Sequence, residues 1–329
     1  SVFWPGVQLI DGTPLDPLDY DSITNSGSEI SRLASLFSAD IFSSSWITFN
    51  DRSFSTCPQL SIVHDCIPER YLPNTSGVLQ ARRNWVRHTD SFLCVSNDTS
   101  SELRRFFSLE SSVIQWCHPC SSLEFKPPIT SSSLYECWIS LKSRLSLPDK
   151  FIVLPGTSQI GSYKNPEFFL QALSHSCHRD IFVLITGLGA LRRSEQFKLA
   201  FPSLSSRIIA AGFDDADLFL VYRFALAVVI PSTAEGFGLP VTEVLSAGGL
   251  PLISDTLGLR EAGSEAAPAF SLQDPYYLTQ LISIIACSES RHWLLSRLSS
   301  RYQSRLGRLN PDLFGLAFLA LSRSTCSFL

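Results

Sequence analysis

A chain of 329 residues is long for a single hydrophobic core, and its 45% hydrophobic and 17% charged residues are the balance of a globular protein, so two folded domains are expected. The formal charge of −4 and a pI near 5.9 argue against a broad phosphate-binding face for nucleic acid. No apolar run approaches the roughly 20 residues of a membrane span; the longest, 224–230, ends at Pro231 and has the length of a buried strand.

The opening "SVFWPGVQLIDGTPLDPLDYD" carries acids and prolines and no basic region, so it does not read as a secretory signal, and a cytoplasmic location is expected. Contact with the inner face of a membrane is compatible with this reading, although no basic amphipathic helix stands out. The chain starts with serine and contains no methionine, and its natural beginning is therefore expected to be missing. Nine scattered cysteines, an odd number in apolar surroundings, suit reduced and mostly buried thiols better than a disulfide framework. Cys117-His118-Pro119-Cys120 and His175-Ser176-Cys177-His178 offer soft ligands, but neither has a second pair at zinc-site spacing, so no metal is expected.

In chain order, "ADIFSSSW" (39–46), "QLSIVHD" (59–65) and "SFLCVS" (91–96) are strand candidates. "TSSELRRFF" (99–107) follows as a helix with a capping-box pattern, Thr99 to Glu102. "SSLEFKPPITSSSLYE" is rich in serine and proline and marks a linker, placed at 131–147. This divides the chain into an N-terminal domain (1–130), a C-terminal domain (148–310) and a last helical stretch (311–329) able to pack on either.

The second half reads more clearly. "FIVLPG" (151–156) is a strand ending in Gly156, and "NPEFFLQAL" (165–173) a helix with Asn165 as candidate cap and Pro166 at its first position. "DIFVLITGLG" (180–189) is a strand running to glycines, 214–225 a helix opened by acids, and 226–230 a third strand. A helix from Pro240 and the strand "LPLIS" (250–254) follow. Strands alternating with helices across short glycine-bearing links imply a parallel sheet covered on both faces.

In open parallel sheets, ligands bind beyond the carboxyl ends of the strands. Three clusters fall on that rim: Gly156-Thr157, Gly187-Leu188-Gly189, and 232–238. Within "PSTAEGFGLPVTEV" (231–244), Gly236 and Gly238 let the backbone approach a ligand. The helix from Pro240 presents free N–H groups and a positive dipole end that favour a phosphate. Glu235 in the loop and Glu243, read as the helix's first turn, can face one cleft at different depths. Two carboxylates repel a phosphate unless they meet hydroxyls instead, and carboxylates accept well from paired sugar hydroxyls. Lys164, in the loop after the first strand of this half, supplies a cation. A diphosphate carrying a sugar at each end, that is a sugar nucleotide, fits this set.

These residues carry a resemblance. Glu235-Gly236-Phe237-Gly238-Leu239-Pro240, with Glu243 closing a Glu-x7-Glu spacing, resembles the signature of retaining family-4 glycosyltransferases of the GT-B fold. "LPGTSQIGSYKNPEFFLQAL", "GFDDADLFLVYRFALAVVIPS" and "GGLPLISDTLGLREAGSEAAPAF" are similar to the flanking family segments, with Arg260 where a proline is usual. In the first half, "SIVHDCIPERY" and "CVSNDTSSELRRFF" resemble the family's His-Asp loop and a later strand-helix unit. The likeness runs over residues 39–285. It implies an α/β fold of two Rossmann-like parallel-sheet domains facing a cleft, and metal-independent transfer of a sugar from a GDP- or UDP-linked donor with retention. The nucleotide sugar is then a co-substrate and no cofactor is needed; the acceptor would be a glycan or a lipid-linked glycan.

The resemblance also implies roles. Glu235 would hold the donor sugar near the reacting carbon, Glu243 the ribose hydroxyls, and Lys164 the leaving diphosphate. The amides of Gly236, Phe237 and Gly238 would line sugar and phosphate, with Leu239, Gly156 and Thr157 in the substrate-binding set. His64 would reach the donor sugar from the opposite domain, with Asp65 as an orienting partner. Two departures stand out. Tyr163 precedes the lysine where many relatives have a basic residue, and the first half is short, with less sheet ahead of the His-Asp loop than is usual. "NSGSEISRL" (25–33) is either a remnant of a glycine-rich turn or, the favoured reading, a helix cap. A short acceptor side leaves a second reading open, a protein that binds sugar nucleotides without turnover. A third, a dinucleotide oxidoreductase, has the doubly wound pattern and "TGLG" in its favour, but lacks a full GxGxxG followed by an acid.

Overall fold

The structure, a computed structural model, describes residues 20–120, 131–156, 159–187 and 189–327. The first lobe comprises α1 (Tyr20–Leu36), β1 (Phe42–Ser44), β2 (Gln59–Val63), α2 (Ile67–Tyr71), α3 (Gly77–Arg87), β3 (Ser91–Cys94), α4 (Asn97–Phe107) and β4 (Ile114–Trp116). Its four strands pair in the order β1-β2-β3-β4, all parallel. The second lobe begins with α5 (Ser131–Arg144), β5 (Phe151–Leu154), α6 (Pro166–His175), β6 (Phe182–Ile185), α7 (Ala190–Ala200), β7 (Ile208–Ala210) and α8 (Asp215–Phe224). It continues through β8 (Ala227–Ile230), α9 (Leu239–Ala247), β9 (Pro251–Ser254), α10 (Leu257–Gly263), β10 (Ala269–Phe270), α11 (Pro275–Ala286) and α12 (Ser288–Arg308), and α13 (Pro311–Ser327) closes the chain. Here the strand order is β10-β9-β8-β5-β6-β7, again parallel throughout. The expected α/β architecture of two parallel sheets is present.

The apolar runs form strands because both faces of each sheet are covered, so every side chain finds apolar contact. In β5, Ile152 and Leu154 point to the core shared with Phe169 and Ile282, while Phe151 and Val153 point to the opposite core with Trp138 and Val221; all are buried. Each such side chain stabilises the fold by about 1.5–3 kcal/mol. The smaller sheet is built likewise. Val63, Phe92 and Cys94 face Trp85 and Leu103, and Leu60 and Leu93 face Leu321 of α13.

Several expectations are corrected. The stretch 131–147 is not a linker: residues 131–144 are the helix α5. Trp138, Leu141 and Leu147 are buried against the larger sheet, with Trp138 stacked on Phe224 at 4.9 Å. Apolar residues inside the serine-rich run outweigh its polar composition. Residues 25–33 are neither a turn remnant nor a cap but the interior of α1, where Gly27 lets Phe49 approach; a Cβ there would lie 2.8 Å from that ring. The cap of α4 is Ser96, whose hydroxyl accepts from Thr99 N, so the capping box placed at Thr99 starts three residues late. The strands β4, β7 and β10, two or three residues each, were not anticipated. The cysteines are all free thiols, but only Cys57, Cys66 and Cys94 are buried, and burial pushes the Cys94 thiol up to about 12. Among the described residues no helix is long and apolar enough to cross a membrane.

The last helix returns to the first lobe: Leu321 joins its core and Thr325 Oγ1 donates to Ser91 Oγ at 2.8 Å. The chain therefore passes between the lobes twice.

Candidate functional site

The carboxyl ends of β2, β3 and β4 in the first lobe meet the loop after β8 and the helix α10 in the second. Gly236 is a point of close approach. A Cβ at this position would lie 1.7 Å from the His64 carbonyl oxygen, so only glycine allows the two backbones to pass. The Gly236 carbonyl accepts from the hydroxyls of Ser96 and Thr99, the latter at 3.0 Å. Beside it, the Glu261 carboxylate of α10 accepts the Asn97 and Asp98 amides at 2.9 and 2.7 Å. These are free N–H groups of the first turn of α4. His118 Nε2 lies 2.9 Å from the same carboxylate, and its ring stacks on Phe237 at 5.0 Å. Burial lifts the Glu261 carboxyl, but the His118 hydrogen bond and the two amides outweigh it, and the net direction is below the ordinary carboxylate range.

On the rim, Lys164 and Glu235 form an ion pair. Lys164 Nζ lies 2.6 Å from Glu235 Oε1, with the side chains 21% and 10% exposed, and Ser232 Oγ donates to the same oxygen at 2.7 Å. The loop bearing Lys164 is bound to the loop bearing Glu235 through its neighbour. The Tyr163 carbonyl accepts from Thr233 N at 2.7 Å and from Thr233 Oγ1 at 3.1 Å. The Tyr163 ring sits 5.1 Å from Lys164 Nζ, a cation–π contact. Burial alone would lower the Lys164 amine, yet the charge and hydrogen bond of Glu235, helped by Tyr163, carry it above the ordinary lysine value. The amine stays charged through the neutral range. From the first lobe, Tyr71 OH reaches Thr233 Oγ1 at 2.6 Å.

Among the described residues, Glu243 forms no hydrogen bond or ion pair with either member of this pair. It is the fifth residue of α9, one residue further in than expected and so just past the first turn, because the helix starts at Leu239 behind Gly238. Partly buried, it has its pKa raised by burial first and by the charge of Asp215 on α8 second. An acid held this way gains from a ligand that offers it hydroxyl donors. Leu239 and Phe237 flank the turn, the first exposed and the second buried. His64, directly after β2, has an exposed side chain, and its carbonyl lies against Gly236. Asp65 Oδ1 accepts from Ile67 N at 3.0 Å and so shapes the turn into α2. Gly156, Gly187 and Gly189 stand at the ends of β5 and β6, drawn together by Arg193, which donates to the Gly156 and Thr186 carbonyls at 2.8 and 3.0 Å. Thr157 and Leu188, both named from the sequence, lie outside the described residues.

The structure thus joins Lys164 to Glu235 directly and brings the His64 backbone against Gly236, while Glu243 feels the charge of Asp215 on α8. The sequence reading placed Ser232 and Thr233 on the rim without assigning them contacts, and it missed Tyr71 and the Ser96–Thr99–Glu261 contacts. Ser232 and Thr233 were visible as polar residues at a strand end; the others pair across 130 residues or more and leave no local signal. Among the described residues no group of three or more His, Cys, Asp or Glu stands together as a metal cage.

A family model described as "Glycosyl transferases group 1" matches residues 140–288, the second lobe alone. The chain is 29% identical over 213 residues to the serotype-specific mannosyltransferase WbdA of Escherichia coli, covering 61% of this chain and 26% of that one. It therefore spans about a quarter of the length of that curated relative. Among solved structures, sucrose-phosphate synthase from Thermosynechococcus elongatus superposes with a TM-score of 0.71 at 18% identity, over 94% of this chain and 79% of that one. Anabaena HepE in complex with UDP and glucose gives 0.69 at 15%, over 89% and 80%. The chain has the GT-B fold, and its second lobe, which carries the Lys164–Glu235 pair, is similar in sequence to the group 1 glycosyl transferases.

Proposed function

We propose that the protein is a retaining glycosyltransferase that takes a hexose from a nucleoside-diphosphate donor, GDP- or UDP-linked, and passes it to a hydroxyl of a glycan or lipid-linked acceptor without a metal cofactor. The observation that carries the reading is the Lys164–Glu235 pair on the strand-end rim, directly beside the point where the first lobe touches Gly236. The WbdA relative is named a mannosyltransferase and the HepE structure holds UDP and glucose, which supports a hexose and a nucleoside diphosphate as the chemical class.

With no ligand, each member of the pair satisfies the other. In the reaction proposed, a donor divides them: its diphosphate takes the Lys164 ammonium and a sugar hydroxyl donates to Glu235. The bond between the anomeric carbon and the diphosphate oxygen breaks with its electrons going to the diphosphate, where a fixed ammonium stabilises the developing charge. The acceptor hydroxyl bonds to the anomeric carbon from the face the diphosphate leaves, and its proton passes to the departing phosphate oxygen. Glu243 receives the ribose hydroxyls, and His64 meets the sugar from the first lobe.

Calorimetry with GDP, UDP and NAD, together with nucleotide release from a panel of GDP- and UDP-hexoses, tests this reading. Binding of one nucleoside diphosphate with release from a matching donor is expected. Binding without release in the presence or absence of acceptor glycans points to the non-catalytic alternative. Tighter binding of NAD than of either nucleotide overturns the assignment.

A further inference from the structure

A cavity of about 320 Å³ opens between the turn after α10 and the carboxyl-terminal half of α12. Ser264, Ser300, Arg301, Ser304, Arg305 and Arg308 line it. The three arginines are spaced i, i+4, i+7 and so share one face of α12. The chain is acidic overall, but α12 carries a single acid, Glu289, in its first turn, far from this end. Glu265 is the one acid in the lining. Arg301 donates to its backbone carbonyl at 3.2 Å, and among the described residues no carboxylate forms an ion pair with Arg301, Arg305 or Arg308.

Arg305 is the fixed member. It is 7% exposed and held by the Ala262 and Glu261 carbonyls, the first at 2.9 Å. Burial pushes its guanidinium down and the charge of Arg308 pushes the same way, together outweighing the opposing charge of Glu261. Arg301 and Arg308 are exposed and free to close on a guest. Like charges gathered around a concavity repel one another until an anion enters. Guanidinium forks match a phosphoryl group two oxygens at a time, and three serine hydroxyls supply further donors. The volume is at the lower end of small-molecule sites, which leaves room for a group attached to the phosphate.

We propose that this cavity is an anion site separate from the strand-end rim, taking a phosphoryl group carried by a small soluble molecule or by a lipid headgroup. None of its lining residues belongs to the Lys164–Glu235 site, so the two can be tested apart.

Pyrophosphate is titrated by calorimetry into the wild type, Lys164→Ala and Arg301→Gln/Arg308→Gln, with circular dichroism and Tm as fold controls. Arg308→Gln alone serves if the double variant does not fold. Saturable binding retained in Lys164→Ala and weakened about tenfold or more in the arginine variant is expected. In parallel, co-sedimentation uses phosphatidylcholine vesicles with and without phosphatidic acid. Arginine-dependent binding to the acidic vesicles without pyrophosphate binding assigns the phosphoryl group to a lipid; the reverse assigns it to a soluble molecule. Binding lost in Lys164→Ala but kept in the arginine variant, or no binding of either probe, overturns the proposal.

Discussion

Gly236→Ala places a methyl group at a tight contact between the lobes. Its Cβ would stand 1.7 Å from the His64 carbonyl oxygen and 2.8 Å from that carbonyl carbon. Unstrained carbon contacts begin near ~3.5 Å, so loop and lobe must part by about 2 Å. The loop cannot retreat alone: Gly258 packs behind it so closely that a Cβ on Gly258 would lie 2.2 Å from the Glu235 carbonyl oxygen. Separation stretches the Ser96 and Thr99 bonds to the Gly236 carbonyl. Two hydrogen bonds and an overpacked contact together amount to about 2–4 kcal/mol. A fall in Tm of several degrees is expected by differential scanning calorimetry. A displacement of ångström size at the reacting centre should lower donor turnover by about 10²-fold. Nucleotide affinity should fall less than turnover, because Lys164 and Glu243 both belong to the second lobe. Wild-type Tm and turnover in Gly236→Ala would refute the reasoning, since the lobes would not then meet at this residue.

Glu243→Gln removes an acid whose pKa is raised by burial and by Asp215. A raised carboxylate destabilises the fold above its folded pKa and is relieved as pH falls through it. The variant should therefore melt higher than wild type at pH 7, with the gain vanishing in acid, while its nucleotide Kd rises about 10- to 100-fold through loss of a charged acceptor. Glu261 is held below the ordinary range, so its contribution is present above the unfolded value of ~4.3 and lost as pH falls through the folded one. Glu261→Ala should lower stability by about 2 kcal/mol at neutral pH, with the difference from wild type closing under acid in chemical denaturation. Lys164 is raised, so its contribution holds below ~10.4 and fades only as pH climbs through the folded value. The stability gap between wild type and Lys164→Ala should accordingly be flat between about pH 6 and 9; a gap that closes toward pH 9 would contradict the pairing.

The second lobe was legible because its strands are short apolar runs bounded by glycine, and a strand buried on both faces has little else it can be. Val228 and Val229 bury on opposite sides of one sheet, and the sequence shows them as part of an uninterrupted apolar run. The rim residues followed from topology: once the sheet is parallel, what comes after each strand shares one edge. What escaped depends on distance along the chain. The helix α5 hid in a serine-rich run because Trp138 finds its stacking partner Phe224 86 positions later. Glu261 caps a helix of the other lobe through amides at 97 and 98, an arrangement no local pattern announces. Glu243 falls just past the first turn of its helix because Leu239, one residue before Pro240, opens it.

The most direct test of the central claim, that Lys164 and Glu235 together hold an activated sugar, is single-turnover donor cleavage by wild type, Lys164→Ala and Glu235→Ala. The account predicts nucleotide release by the wild type, a loss of about 10²–10³ in rate for Lys164→Ala with nucleotide still bound, and no measurable transfer by Glu235→Ala. Equal rates in all three proteins would contradict it.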